Sequence, residues 1–457
     1  MNKAIGFLGS ALVTLCLTMS PAKGDREVSW DDVPTILARI KSPTFPERDF
    51  NITDHGAKAD RSMDCTEAIT RAIKACHDAG GGRVVVTGGT FLTGAVHLRS
   101  GVNLHVAAGA TLKFIPEPKK YLPVVRVRYE GVECMNFSPL IYARDQENIA
   151  VTGKGTLDGS ASWENWWKMT REERSEKAPQ SKAEMLAHGD SGTPVEQRIF
   201  GEGHLLRPNF IQPYHCRNIL IEGVTIINAP MWVINPVLCG NVTVRGVTVN
   251  SHGPNNDGCD PDSSRDVLIE DCVFDTGDDC IAIKSGKDAD GRRVNVPSEN
   301  IIIRKCVMKD GHGGVVLGSE TSGGVRNVFA EDCTMDSPNL DRALRLKTNA
   351  GRGGPIENIF FRNVNVGRVA HSVLTIDLVY GKVTTGPFPP TVRNIEMRNV
   401  ISASSPRALW VVGTDTSVIE NVRVIDSVFK GVEGPDVLTH SGSIRLENVT
   451  VEAAKAR

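Results

Sequence analysis

Beyond its first residues, this 457-residue sequence lacks any run of the ~18 continuous apolar residues that a spanning helix needs, so no membrane span is expected. Its one early apolar stretch, Ala4 to Leu17, is short and interrupted, follows Lys3 and leads into Ser20, Pro21, Ala22 and Gly24. A positive start, an apolar centre and a small-residue end describe a secretory signal peptide. Residues 1–24 are therefore expected to be a leader, and residues 25–457 a single exported domain, secreted or periplasmic. A net charge is missing too: 52 Lys and Arg stand against 54 Asp and Glu, a balance of −2. No global field gathers nucleic acid, and an acidic substrate must be held by local cations. Close cysteine pairs are also absent. Of eleven cysteines, Cys16 falls in the leader and the other ten are scattered, so nothing suggests a zinc site.

What is present is a repeat. The phrase of Asn or Asp followed by alternating β-formers recurs as NILIEGVTI from Asn218, NVTVRGVTV from Asn241, DVLIEDCVF from Asp266, NIIIRKCVM from Asn300 and NVFAEDCTM from Asn327. It continues from Asn358, Asn394, Asn421 and Ser443, at intervals of 22 to 36 residues. Alternation with Gly, Asn and Asp at the bends reads as short strands. Such strands bury a face only by stacking coil on coil, about 4.8 Å apart, which predicts an all-β, right-handed parallel β-helix. Cys272, Cys306 and Cys333 share one repeat position and are read as an inward ladder of small apolar side chains. The leading Asn residues read as a second ladder at a bend.

A solenoid must close its ends. Asp64 and Glu67 read as a capping box, Ala68, Ile69, Ala72, Ile73 and Cys76 as an apolar helical face, and Gly80 to Gly82 as the stop of an N-terminal capping helix before a strand over Arg83 to Thr87. Residues 159–206 are polar, charged and out of period, and are expected to form a surface insertion.

Four clusters exceed what a structural repeat needs: Asn255-Asn256-Asp257-Gly258-Cys259-Asp260, Gly277-Asp278-Asp279-Cys280, Gly311-His312-Gly313 and Arg345-Leu346-Lys347. Asp257 to Asp278 is 21 residues, Asp278 to His312 34, and His312 to Arg345 33, so each cluster falls in its own coil and the four stack on one side. Glycosidic hydrolysis needs one carboxylic acid and one carboxylate, and crowding three of them leaves one protonated. That spacing suits an inverting site without excluding a retaining one. Arg345 and Lys347, two apart on a strand, face the same way and can clamp a sugar carboxylate. Adjacent Asp278 and Asp279 would diverge on a regular strand, so a bend at Gly277 must aim both at the cleft.

These clusters resemble glycoside hydrolase family 28, the polygalacturonases and their relatives, with its Asn-x-Asp, Asp-Asp, Gly-His-Gly and Arg-Ile-Lys pattern; Asn256 and Leu346 are small departures. The resemblance implies that Asp278 is the general acid, that Asp257 and Asp279 activate water with inversion, and that His312 supports the acid. It implies that Arg345 and Lys347 contact the substrate carboxylate, and that no metal or cofactor takes part. Asn255, Tyr380 and Lys284 are further candidates for substrate contact. The stretches from Arg128, Arg207 and Asn228 look like the bacterial exo-acting members, and the 159–206 insertion is placed to block one end of the cleft. The expected partner is a pectic polysaccharide or oligogalacturonide, and the expected state a monomer.

Blander readings stand beside these. The aspartates also suit turns or calcium, His312 a buried structural histidine, and Arg345, Lys347 and Lys284 solvated charges. Trp232, Arg128 and the Trp163–Trp167 cluster are candidates for stacking on pyranose faces, or for packing. The rival functions are a rhamnogalacturonan or xylogalacturonan hydrolase, a pectate lyase, and a non-catalytic glycan-binding solenoid.

Overall fold

In each repeat the residues two apart are the buried ones. Val242 and Val244, Val267 and Ile269, and Ile301 and Ile303 are all 0% exposed, because period-two strands turn alternate side chains to one face. In the computed structural model, which describes residues 27–173, 175 and 180–455, these positions lie in parallel register from coil to coil. Val242 pairs with Val267, then Ile301, Val328, Ile359, Ile395 and Val422. The chain is a parallel β-helix, as expected. The leader expected over residues 1–24 lies outside the described residues.

Both ladders form. Cys272, Cys306 and Cys333 are buried free thiols on successive coils, without disulfides. At the bend, Asn300, Asn327 and Asn358 take left-handed φ near +57°, and each amide donates to the side chain one coil back at 3.0–3.2 Å. Asn suits this position because it tolerates left-handed backbone and carries both donor and acceptor. Asp266 interrupts the row, since it cannot donate. Arg39 binds it instead at 2.8 Å, and the Asn241 side-chain oxygen, which Asp266 cannot serve, accepts from the Lys41 amide at 2.7 Å.

That interruption is where an unexpected element docks. The short helix Val33–Arg39 and Trp30 lie outside the coils, over Leu268, Ile302, Phe329 and Phe360. Trp30 meets Phe329 edge-on at 5.5 Å, and Phe329 stacks on Phe360. The N-terminal capping helix runs Thr66–Asp78 with the expected residues buried. Its expected capping box is corrected: the helix starts after Cys65, and Asp64 accepts from the Thr66 amide at 3.0 Å without Glu67. The following strand is Gly82–Val86.

The 159–206 insertion contains the helices Lys168–Glu173 and Ser181–Ser191. It is more than a surface feature, since Trp166 is 1% exposed and packs edge-on against Tyr121. An antiparallel hairpin, Val125–Tyr129 with Val132–Asn136, was not foreseen, and the insertion strand Ile199–Phe200 pairs with it. The hairpin lies over the early coils of the face whose later strands are Ile281–Ile283, Val315–Gly318, Arg342–Lys347, Ser372–Asp377 and Arg407–Val412. Gln212 and Asn235, on that face, are 0% exposed beneath it. Arg128 is corrected from a sugar platform to a buried strut: it is 0% exposed and binds Asp262 at 2.8 Å.

The asparagine row makes a measurable contribution. Asn327→Ala is expected to lower unfolding free energy by about 2 kcal/mol, combining lost hydrogen bonds with left-handed strain, whereas Asn327→Gly, free of that strain, is expected to lose less. Urea titrations in which alanine cost no more than glycine would contradict the ladder account.

Candidate active site

The four sequence clusters meet at one cleft of about 530 Å³, open beyond the hairpin. Arg345 and Lys347 point into it because Leu344 and Leu346, which alternate with them, are 0% exposed in the core. Asp278 and Asp279 lie in the bend between the strands Val273–Thr276 and Ile281–Ile283, which answers the problem of two adjacent residues facing one way. The coils touch closely there: a Cβ on Gly311 would sit 2.5 Å from the Asp278 carbonyl, and the His312 amide donates to that carbonyl at 3.1 Å. Asn256 is buried and ties the preceding turn, accepting from the Ser251 hydroxyl and the Gly253 amide.

Asp257, Asp278 and Asp279 bring carboxylate oxygens within 4.8 Å of one another. A divalent cation also accepts such a geometry, but this site carries its own compensation. Lys347 Nζ donates to Asp279 at 2.7 Å and Arg345 lies 3.6 Å from the same carboxylate. Lys284 Nζ sits 3.5 Å from Asp257, 3.8 Å from Asp260 and 3.3 Å from Glu320, against the Trp232 ring at 4.5 Å. Lys284 is thus a buried cation among carboxylates and not a solvated lysine. Trp232 is 2% exposed and backs it.

Burial raises Asp257 and Asp260 well above the usual carboxylate range, and Asp278 adds to the effect on Asp257. Burial pushes Asp278 up as well, but the His312 Nδ1 hydrogen bond at 2.9 Å and the charge of Lys347 outweigh it and hold Asp278 at about 2. The same bond raises His312 above its ordinary value against the opposing effect of burial. Among the three, burial biases Asp257 toward its protonated form, whereas His312 and Lys347 favour the ionised form of Asp278.

The other expected residues also arrive. Asn255 lines the cleft and accepts from Arg207 at 2.9 Å, and the Tyr380 ring lies 5.4 Å from Lys347 and 5.8 Å from Arg345. Of the tryptophans, Trp163 is exposed beneath Arg171, while Trp167 donates to the Ala229 carbonyl. Several lining residues were missed: Glu130 at the hairpin tip, Lys182 from the insertion, Lys287, Glu320 and Arg352. They stand on loops and on the helix Ser181–Ser191, outside the period, so the repeat could not point to them. Asp260 was within reach, since it ends the cluster that begins at Asn255.

Removing Lys284 leaves Asp257, Asp260 and Glu320 without their shared cation. Lys284→Met is expected to cost about 3–5 kcal/mol at neutral pH. Asp257 and Asp260 titrate higher when folded than unfolded, so ionising them opposes folding as pH rises above about 4, and the deficit is expected to grow in that direction. Equal stability of variant and parent across pH 4–8 would contradict this account of the site.

Comparison with known proteins places the arrangement. The family model for glycosyl hydrolases family 28 matches residues 201–454. An exo-poly-alpha-D-galacturonosidase of Dickeya chrysanthemi is 30% identical over 446 residues, covering 88% of this chain and 70% of that protein. The crystal structure of a hyperthermoactive exopolygalacturonase from Thermotoga maritima superposes with a TM-score of 0.90 at 45% identity, covering 93% of this chain and 96% of that one. With its aspartates, histidine and basic pair assembled in one cleft, this chain belongs to family 28 of the glycosyl hydrolases.

Proposed function

We propose that the enzyme is an exported polygalacturonase that removes terminal units from pectic chains, hydrolysing α-1,4-galacturonosidic bonds with inversion. The observation that carries the reading is the meeting of three aspartates with Arg345 and Lys347, which sets bond-cleaving carboxyls beside a clamp for a carboxylated sugar. The relatives named as exopolygalacturonases support the substrate class.

Asp278 is the general acid in this reading, since its side chain is the accessible one of the three, 18% against 3% for Asp257 and 0% for Asp279. It shares a proton with His312. A bound uronate that engages Arg345 and Lys347 offsets the positive charge that keeps Asp278 ionised, so the proton moves toward Asp278 as substrate binds. Asp278 then protonates the glycosidic oxygen as the bond to the anomeric carbon breaks. Water adds to that carbon, hydrogen-bonded by Asp257, and gives its proton to Asp279, whose charge Lys347 and Arg345 compensate. The carboxylate spacing alone resembles that of a retaining pair. Inversion is favoured because Asp257 and Asp279 lie deeper than Asp278 and are tied to cations, which suits them to hold a water between them.

The covered early coils support exo action. The hairpin buries Gln212 and Asn235, and Lys182 of the insertion pairs with Glu130 at its tip at 2.5 Å, so the groove is walled at that end and its lining continues toward the later coils at Arg342, Arg345 and Tyr380.

Polygalacturonate is expected to yield monomer or dimer from the first time point, with new reducing ends and no ultraviolet-absorbing unsaturated sugar, with or without chelator. Asp278→Asn is expected to lower turnover by about 10²–10⁴ while sparing oligogalacturonide binding. Unsaturated products would establish a lyase, early mixed oligomers an endo enzyme, and preferential cleavage of rhamnogalacturonan a different glycan.

A further inference from the structure

The cleft does not stop at Arg345. Its floor continues along the open direction, where parallel register carries Arg345 to Thr375 and then Trp410, and Arg342 to Ser372 and then Arg407. Trp410 therefore lies two coils past the clamp, a distance of about 10 Å. The Arg407 guanidinium stands over the Trp410 ring at 5.0 Å, and His371 meets the same ring edge-on at 4.8 Å.

This patch is cationic and under-used. The Nε atoms of Arg342, Arg345 and Arg407 are buried without a hydrogen-bond partner among the described residues. Arg342 has Asp341 at 3.1 Å, whereas Arg407 has no carboxylate in ion-pair contact among the described residues. Burial, with Arg342 and Arg407 adding to it against Asp341, holds His371 down at about 4. Half-buried arginines flanking an aromatic face are not needed to close the coil, since Leu374 and Leu409 fill the core beneath them.

We infer that Arg342 and Arg407 bind the carboxylate of a second uronate, with Trp410 as the platform for its ring, further along the chain than the sugar clamped by Arg345 and Lys347. The inference rests on the proposed exo-polygalacturonase reading and deepens it by naming what holds the rest of the polymer. Arg supplies a planar fork for a carboxylate, and an indole face suits the C–H surface of a pyranose. The site adds affinity for substrates long enough to reach it and nothing for the shortest.

The test measures kcat/KM on oligogalacturonides of two to six units, for the parent, Arg407→Gln, Arg407→Lys and Trp410→Leu. For the parent, kcat/KM is expected to rise with length until the site is filled. In Arg407→Gln and Trp410→Leu that rise is expected to shrink about tenfold, the equivalent of one charge-assisted hydrogen bond, while the shortest cleaved substrate is turned over as by the parent and so certifies folding. Arg407→Lys is expected to recover part of the rise, keeping charge without the fork. Equal losses at every length, or none at any, would overturn the inference while leaving the hydrolase reading intact. Failure of the parent to cleave any of these substrates would overturn both.

Discussion

Everything in this molecule depends on the parallel backbone ladder between successive coils. It sets a rise of about 4.8 Å and a fixed register, so a residue type placed once per repeat becomes a column along the solenoid. The same spacing that stacks Cys272, Cys306 and Cys333 inside and Asn300, Asn327 and Asn358 at the bend also stacks Asp257, Asp278 and His312 at the cleft. The active site is a departure from the repeat written in the repeat's own geometry. Its precision comes from the core beneath, where Ile281, Val315 and Leu344 pair in register and are 0% exposed.

Placing carboxylates one coil apart in a buried wall is costly, and the site meets that cost with cations in equally fixed columns. Lys284 serves Asp257, Asp260 and Glu320 from below, while Lys347 and Arg345 serve Asp279 from the next coils. The result divides the labour among three chemically identical side chains. Asp257 is pushed toward its protonated form, Asp278 is kept ionised by His312, and Asp279 is paired. In the proposed mechanism an incoming uronate competes for the same cations, so binding and proton placement are coupled.

The sequence disclosed what is periodic and concealed what is not. The strands, the two ladders, the capping helix and the stacking of the four motif clusters were legible from alternation and repeat length, while the roles proposed for the nine site residues rest on the family resemblance. The hairpin over Gln212 and Asn235 escaped notice because its role depends on a contact with coils that follow it by many residues. The helix Val33–Arg39 docks on Leu268 and Ile302, a pairing no local pattern encodes. Arg128 looked like a sugar contact because it stands in an exo-like stretch, whereas its salt bridge with Asp262 is visible only in three dimensions. The upward push on Asp257 was likewise hidden, since crowding predicts that one carboxyl is favoured in its protonated form but burial and hydrogen bonding decide which.

The most direct test of the central claim, that paired Asp257 and Asp279 hold the attacking water opposite Asp278, is the configuration of the first product. Proton NMR of oligogalacturonide hydrolysis, followed before mutarotation, is predicted to show the β-anomer of the newly formed reducing end ahead of the α-anomer. Initial appearance of the α-anomer would show retention, make one of the buried aspartates a nucleophile and contradict the account.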